Sequence, residues 1–397
     1  MIERESAGIQ GDSGCVMRID DDPGGMYVNT VSFAKRAIGV GMMAALGLSL
    51  ASPALHVAAQ DAPVTTVASG LINPRGVAFD PATGEMLVAS AGVGGATAQI
   101  VKIVDGCPVV VVDGLPSAGS VDGDAIGVAD VAYAGDTLYA LVAGGGEAHG
   151  SPDMTSGLYR VNTDGTTELV FDLEAFISSN PVPATPVAED FDLAGNPYSM
   201  AVSPDGASIL IAEANSEQII SVDLATGEAT RAIDLSAEDS VPTAVAFDVD
   251  GDIIVGTLGA GLMPGGASVY EYKADGSRTV LAEGLTTVTG VAVTPEGHVY
   301  AVQMFDGMSD PMAGPSGVLV EVSAEGVTPV ATGLLLPSSV EAGPDGDLYV
   351  STPAIGGGTG NGSVLRIDPS AATDATPIAV DAAAPAGADC AVATPAS

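Results

Sequence analysis

The chain has 397 residues, of which 50 are acidic and only 11 are lysine or arginine, so its formal net charge is -39. A surface this acidic repels nucleic-acid phosphates and anionic lipid headgroups, which excludes a nucleic-acid-binding function. Hydrophobic residues make up 47% of the chain, enough for a large core, but there is no tryptophan and there are only seven phenylalanines. Small side chains must therefore fill that core.

Residues 1–59 are predicted to be a leader and a secretory signal peptide. Lys35 and Arg36 precede an apolar run at 37–50, and small residues follow at 57–59. Charge, a short apolar stretch and a small-residue cleavage point are the marks of a cleaved signal. Because the run is shorter than the roughly 20 residues of a membrane helix, we expect no membrane span and a secreted or cell-envelope protein. Met26 would give the signal a conventional length, and a genuine leader extension is the alternative.

The first segment after the leader resembles the last strand of a repeat. Residues 63–71 match residues 277–285 and 327–334, and all three segments end in Gly-Leu. We expect this strand to pair with residues 363–368 and so close a ring, which removes sheet edges that invite aggregation. Residues 376–380 compete for the same place, although Pro377 favours an edge position.

Six copies of one pattern follow, each a Val-Ala-Phe-like strand, a glycine-containing turn and a Tyr-Val-Ala-like strand. Their first apolar residues lie 54, 69, 45, 46 and 49 positions apart, at Val77, Val131, Met200, Val245, Val291 and Val340. A third and a fourth strand can be read after each copy. Repeats of this length built from short strands predict an all-β, six-bladed β-propeller with four-stranded blades over residues 60–370. Residues 371–397 form an Ala/Pro-rich tail.

The connections between the strands are of two kinds. Turns between first and second strands have the Pro and Gly positions of tight hairpins. In one of them Asp248, Asp250 and Asp252 also resemble the start of a calcium loop, but no Glu follows at the required spacing, so we favour the turn. Long Gly-rich loops between second and third strands should emerge on one face, where propellers place function. The insertion at 174–197 is either a lid or packing against the rim.

The mature chain keeps two cysteines, Cys107 near the first blade's fourth strand and Cys390 in the tail. In an oxidising compartment two thiols usually pair, so we expect a disulfide that pins the tail to the first blade. Two free buried thiols, or an intermolecular bridge, are the alternatives.

The sequence contains few of the residues that common hydrolytic active sites require. Outside the leader the only histidines are His149 and His298, and no Gly-x-Ser-x-Gly elbow is present. The sequence therefore supports neither a serine triad nor a histidine-based zinc site. We lean towards a protein without enzymatic activity.

Polar residues at the start of the inner strands predict a polar funnel mouth. The residue before each inner strand is Arg75, Ala129, Tyr198, Thr243, Thr289 or Ser338, and neighbouring positions add Asn73, Asp130 and Asn196. Glu341 stands where the other five copies have alanine. Burying its carboxylate unpaired would be costly, so it should meet Arg75, a cation or channel water. The candidate ligand-binding residues are Asn73, Arg75, Asp130, Tyr198 and Glu341.

The segment Gly-Leu-x-Asn-Pro-Arg-Gly-Val-Ala-Phe-Asp at 70–80, with residues 100–104 and 111–117 and the later Pro-Asp-Gly and Leu-Tyr-Val units, resembles the ScyD/ScyE family of exported proteins. The resemblance covers most of residues 62–370. It implies an exported six-bladed propeller of the NHL and gluconolactonase kind, and it implies no settled biochemical role.

Two functions follow as hypotheses. The first is a secreted, monomeric binding or scaffold module that takes a small molecule, glycan or protein at its loop face and central funnel, without a cofactor. The alternative is a metal-dependent lactonase or related hydrolase holding Ca²⁺ or another divalent cation. Its weak candidate ligands are Glu341, Asp130 and Asn73, which do not reproduce the ligand pattern of gluconolactonase-like propellers.

Overall fold

The computed structural model describes residues 63–120, 123–184, 193–307, 314–358, 360–372, 376–380 and 390. The predicted leader, the signal peptide, the proposed start at Met26 and most of the tail lie outside these residues. Within the described part, no helix is both long and apolar enough to cross a membrane.

The described strands form six sheets, antiparallel except for one short parallel pairing, and each sheet is one blade of a β-propeller. Strand β1 (Val64–Leu71) comes first and belongs to the last blade. Blade one contains β2 (Pro74–Phe79), β3 (Met86–Ser90), β4 (Gly95–Val104), β5 (Cys107–Gly119) and the short β6 (Ala125–Ile126). Blade two contains β7 (Val128–Ala134), β8 (Thr137–Val142), β9 (Gly157–Val161) and β10 (Thr167–Asp172), and helix α1 (Leu173–Ser179) follows it.

The other four blades repeat the arrangement. Blade three contains β11 (Pro197–Val202), β12 (Ser208–Glu213), β13 (Gln218–Asp223) and β14 (Ala229–Asp234), and blade four contains β15 (Pro242–Phe247), β16 (Ile253–Thr257), β17 (Ala267–Tyr272) and β18 (Arg278–Leu285). Blade five contains β19 (Val288–Val293), β20 (Val299–Gln303), β21 (Gly317–Ser323) and β22 (Gly326–Leu334). Blade six contains β23 (Ser339–Ala342), β24 (Leu348–Thr352) and β25 (Gly362–Ile367), and β26 (Ile378–Ala379) ends the described strands. One-turn 3-10 helices lie at Ala260–Leu262 and Pro369–Ala371.

The ring closes as the sequence predicts. Strand β1 pairs antiparallel with β25, from Val64 opposite Ile367 to Leu71 opposite Gly362, and supplies the fourth strand of blade six. The competing segment takes another place, because β26 pairs in parallel with β22 and extends blade five. Strand β1 buries Ala68 and Leu71, so closure also covers apolar surface.

Cys107 and Cys390 form the expected disulfide, with their Cα atoms 5.3 Å apart. The bond joins residues 283 positions apart in sequence and fixes the tail beside blade one. The tail therefore has a covalent attachment in addition to the pairing of β26 with β22.

Blades pack face to face through small and branched side chains, as the lack of tryptophan requires. One cluster joins Val302 and Leu319 of blade five to Val350 and Leu365 of blade six. Helix α1 buries Leu173, Phe176 and Ile177 in the cluster between blades two and three. The first part of the 174–197 insertion thus packs against the propeller, while residues 185–192 lie outside the described ones.

Candidate functional site

The inner strands of the six blades enclose a cavity of about 730 Å³ along the propeller axis. The cavity extends from the middle of the inner strands to the hairpin turns that follow them, and Asp80, Asp136, Pro295 and Pro344 lie at these turns. Its volume is in the range of pockets that hold small-molecule ligands. The channel therefore has its wide part at the hairpin end of the inner strands.

The space exists because one ring of positions carries almost only alanine. The six residues at this level line the cavity and are Ala78, Ala132, Ala201, Ala246, Ala292 and Glu341. Closer to the hairpins, Phe79, Tyr133 and Phe247 also line the cavity, and each of them packs against a hydrophobic cluster as well. This ring combines five methyl groups with one carboxylate, and Asp80, Asp130 and Asp136 add further acids to the cavity lining.

Glu341 lies opposite Tyr349 in the β23–β24 ladder, and its side chain is exposed to the channel. The side chain is accessible from the channel, but protein atoms surround it closely enough to disfavour its charged form. Burial, with a smaller effect of the neighbouring Asp130 carboxylate, raises the pKa of Glu341 to about 8. No hydrogen bond or ion pair is made by its carboxylate within the part of the chain that the structure describes.

Asp130 is the second acid of the channel, and backbone groups hold both of its oxygens. Oδ1 accepts from the Val131 N–H at 2.8 Å, and Oδ2 accepts from the Met200 N–H of blade three at 2.8 Å. Burial raises the pKa of Asp130 to about 7, against the opposing effect of these two hydrogen bonds. Gly76 of blade one packs so closely that a Cβ there would lie 1.7 Å from Oδ1. Asp130 is therefore fixed between three blades.

Arg75 and Tyr198 lie at the other end of the channel, where the lining encloses only about 30 Å³. The Arg75 guanidinium donates to Asp124 Oδ1 and to the Ala125 carbonyl, each at 2.7 Å, and lies 3.4 Å from the Tyr198 hydroxyl. The partner expected for Glu341 is thus bound to Asp124 instead. Two large side chains narrow this end, which is why the wide cavity lies at the hairpin end and not at the expected mouth.

Other polar residues of the expected mouth join blades to one another. Thr243 donates to the Val288 carbonyl, Thr289 to the Pro337 carbonyl and Ser338 to the Pro74 carbonyl. Asn73 is fully buried, donates to the Gly92 carbonyl at 2.7 Å and lies outside the cavity lining. The structure thus brings together Arg75, Asp130, Tyr198 and Glu341 of the five candidate ligand-binding residues, and it leaves Asn73 among loops.

The sequence analysis did not identify Asp124 or the three aromatic residues near the hairpins as parts of the site. Asp124 lies in an insertion before the second inner strand, where the repeat offers no equivalent position for comparison. Phe79, Tyr133 and Phe247 occupy one repeat position, so a large residue there in half of the copies was the available sign.

An acidic triad lies in blade four, outside the channel lining. Carboxylate oxygens of Asp248, Asp252 and Glu271 come within 4.8 Å of one another. Lys273 Nζ already binds the group, 2.8 Å from Asp252 Oδ2 and 3.4 Å from Glu271 Oε2. Asp248 Oδ1 accepts from the backbone N–H groups of Asp250 and Asp252, as a tight turn requires. Turn chemistry and the lysine account for these acids.

Of the described residues, the two histidines His149 and His298 do not line the channel. His149 Nδ1 lies 2.8 Å from the Gly145 carbonyl in a loop, and His298 Nδ1 lies 2.7 Å from Glu321 Oε1 at the surface. Neither is positioned to act on a molecule in the cavity.

Solved structures share the fold. A protein of unknown function from Bacteroides thetaiotaomicron matches with TM-score 0.51 and 13% identity, over 77% of this chain and 75% of its own. A putative oxidoreductase (glucose dehydrogenase) from Thermus thermophilus matches with TM-score 0.52 and 19% identity, over 77% and 99%. A putative gluconolactonase gives 0.48 and 13%, over 78% and 92%, a likeness too low to carry an argument. These similarities show the propeller fold alone.

No family model matches the chain, and no curated protein matches it. Membership of the ScyD/ScyE family therefore stays a prediction.

Proposed function

We propose that this protein is a binding propeller that holds a small molecule in its central channel at the hairpin end. The observation that carries the proposal is the 730 Å³ cavity, whose lining combines a ring of alanines with the carboxylates of Glu341 and Asp130. Small-molecule sites commonly combine a largely apolar cavity with a few polar groups of perturbed pKa. Glu341 and Asp130 are those groups here.

The rigid lining supports a binding role. Every inner strand is held in a four- or five-stranded sheet, and Asp130 bridges two blades through backbone hydrogen bonds. A preformed site binds without a large ordering cost. The loop face stays a second place for a glycan or protein partner, and the disulfide supports an oxidising, extracytoplasmic location.

The metal-dependent hydrolase is the weaker proposal, because the described residues do not form a cation cage. Asn73 lies outside the cavity, and both Asp130 oxygens already accept backbone hydrogen bonds. Of the three candidate ligands, Glu341 alone offers a carboxylate that no described residue engages. Near-stoichiometric metal in the purified protein, with a lower melting temperature after chelation, would restore this alternative.

A ligand panel tests channel binding. Benzyltrimethylammonium, benzyl alcohol, phenylacetate, glucose and gluconolactone are added singly to the protein, and the melting temperature is measured. We expect at least one compound to raise it, because ligands that bind only the folded state stabilise that state.

Variants with a narrower channel show whether a stabilising compound binds there. Ala132→Leu and Ala246→Leu place larger side chains in the cavity wall, whereas Ala207→Leu changes an exposed residue outside the lining. The stabilisation should shrink in the two channel variants and persist in the control. A panel without effect, or an equal effect in all variants, would contradict the proposal.

A further inference from the structure

The channel cavity is lined by acids without bases. Its charged lining residues are Asp80, Asp130, Asp136 and Glu341, and neither lysine nor arginine lines it. Arg75, at the narrow end, is held by Asp124. Within the described lining, therefore, no side chain supplies a counter-charge to Glu341.

Two of these acids lie where ionisation is unfavourable. An ionised carboxylate in an apolar, enclosed site loses hydration that the walls do not replace. Two backbone N–H groups donate hydrogen bonds to Asp130 and so replace part of its lost hydration. Glu341 has no such donor among the described residues. A ligand that brings positive charge would replace the lost hydration, whereas an anionic ligand would meet two like charges.

The uncharged part of the cavity lining favours a ligand with an apolar group. Alanines occupy the other five positions of the ring that contains Glu341, and Phe79, Tyr133 and Phe247 line the cavity towards the hairpins. Aromatic faces attract cations and also bind apolar groups. A bare metal ion would leave most of the 730 Å³ and this apolar surface unused.

We infer that the channel ligand is an organic cation with an apolar body, its charged end beside Glu341 and Asp130 and its apolar part against Phe79, Tyr133 and Phe247. The inference rests on the proposed function, since it names the ligand class of the same site. Entry is from the hairpin end, because Arg75 and Tyr198 narrow the other end.

Binding of such a cation depends on pH. Burial raises the pKa of Glu341 to about 8 and the pKa of Asp130 to about 7. The other titratable groups that face the channel are Asp80, Tyr133 and Asp136 towards the hairpins and Arg75 and Tyr198 at the narrow end. A permanent cation favours ionised carboxylates, so its affinity should increase from pH 6 to pH 9.

Isothermal titration calorimetry with benzyltrimethylammonium tests the inference on the full chain. This probe carries a fixed charge, and benzyl alcohol and phenylacetate are its neutral and anionic counterparts. About 0.15 M salt screens attraction to the acidic surface. We expect one cation per chain at pH 8.5, and at least tenfold weaker binding of the other two probes.

Glu341→Gln keeps the size of the side chain and removes its charge, and Glu228→Gln is the control at an exposed turn outside the lining. The first variant should bind the cation at least tenfold more weakly and depend less on pH, and the control should match the wild type. A melting curve shows whether each variant is folded, and Glu341→Ala restores the residue of the other blades as a second test.

The outcomes separate the two proposals. Equal cation binding by the wild type and Glu341→Gln, or binding of phenylacetate or benzyl alcohol as tight as that of the cation, would overturn the organic-cation inference. If a compound of another class binds in the channel, the binding propeller stands and its ligand class is wrong. If no panel compound binds, both proposals fail.

Discussion

At the scale of single residues, Glu341 shows how one exchange in a repeat places a charged group in the proposed site. Five blades place alanine at this position, and the sixth places a carboxylate in the same ring. The exchange of alanine for glutamate was visible in the sequence, but the side chain that would pair with Glu341 was not. Whether Arg75 could reach Glu341 depended on the insertion that carries Asp124, which binds the guanidinium at 2.7 Å.

The raised pKa of Glu341 predicts a pH-dependent difference in stability between the wild type and Glu341→Gln. In the unfolded chain the carboxyl group releases its proton near 4.5, and in the folded protein only near 8. Between these values the native state binds more protons, so the wild type loses stability as the pH rises and levels off above about pH 8. The variant lacks this contribution.

Thermal melts at pH 4 and pH 8.5 measure the effect. We expect similar melting temperatures at the lower pH and a value a few degrees higher for Glu341→Gln at the higher pH. If the difference in melting temperature between the two proteins does not depend on pH, the pKa of Glu341 is not raised in the folded protein.

Gly76→Ala should disrupt the channel, because the new Cβ would lie 1.7 Å from Asp130 Oδ1 and 2.9 Å from its Cα. Asp130 would have to move and give up its hydrogen bonds to the Val131 and Met200 N–H groups. We expect a loss of about 2–4 kcal/mol in the free energy of unfolding, measured by denaturant titration.

Gly266→Ala is the matched control, since its Cβ would approach nothing closer than 3.1 Å. Equal stabilities of the two variants would mean that Asp130 is not held as described.

At the scale of elements, the strands were predictable because apolar alternation and the positions of Gly and Pro in the turns indicate the same boundaries. The closing strand, for example, is predicted at residues 63–71 and runs from Val64 to Leu71 in the structure. Alternating apolar residues mark such strands, and Gly and Pro mark their turns. The place of β26 was not predictable to the same degree, because its two-residue pairing with β22 depends on where the disulfide directs the tail.

Cys390→Ser should destabilise the propeller. The disulfide joins residues 283 positions apart, so its loss increases the freedom of the unfolded chain. We expect a loss of about 2–4 kcal/mol in the free energy of unfolding. A reductant should produce the same loss in the wild type and none in the variant. Unchanged stability of the variant would show that the disulfide does not stabilise the propeller.

At the scale of the whole molecule, the repeat predicted the six blades and the closing strand, but not the shape of the channel. Blade number follows from spacing, which is local information. The width of each end follows from which side chains meet across six blades, as Arg75 and Tyr198 do at the narrow end. The predicted mouth was therefore placed at the end that the structure shows to be narrow.

The net charge of -39 predicts that salt stabilises the protein. Like charges on the folded surface repel one another, and salt with a Debye length of about 10 Å at 0.1 M screens that repulsion. The melting temperature should rise by a few degrees between about 0.02 M and 0.3 M sodium chloride at pH 8.5. A constant or falling value would mean that the acids are already balanced by local partners.

The most direct test of channel binding is a crystal structure of the full chain with the panel compound that raises its melting temperature most. The account predicts that the compound lies among the alanine ring, beside Glu341 and between Phe79 and Phe247. A compound found only at the loop face, with nothing but water in the channel, would contradict it.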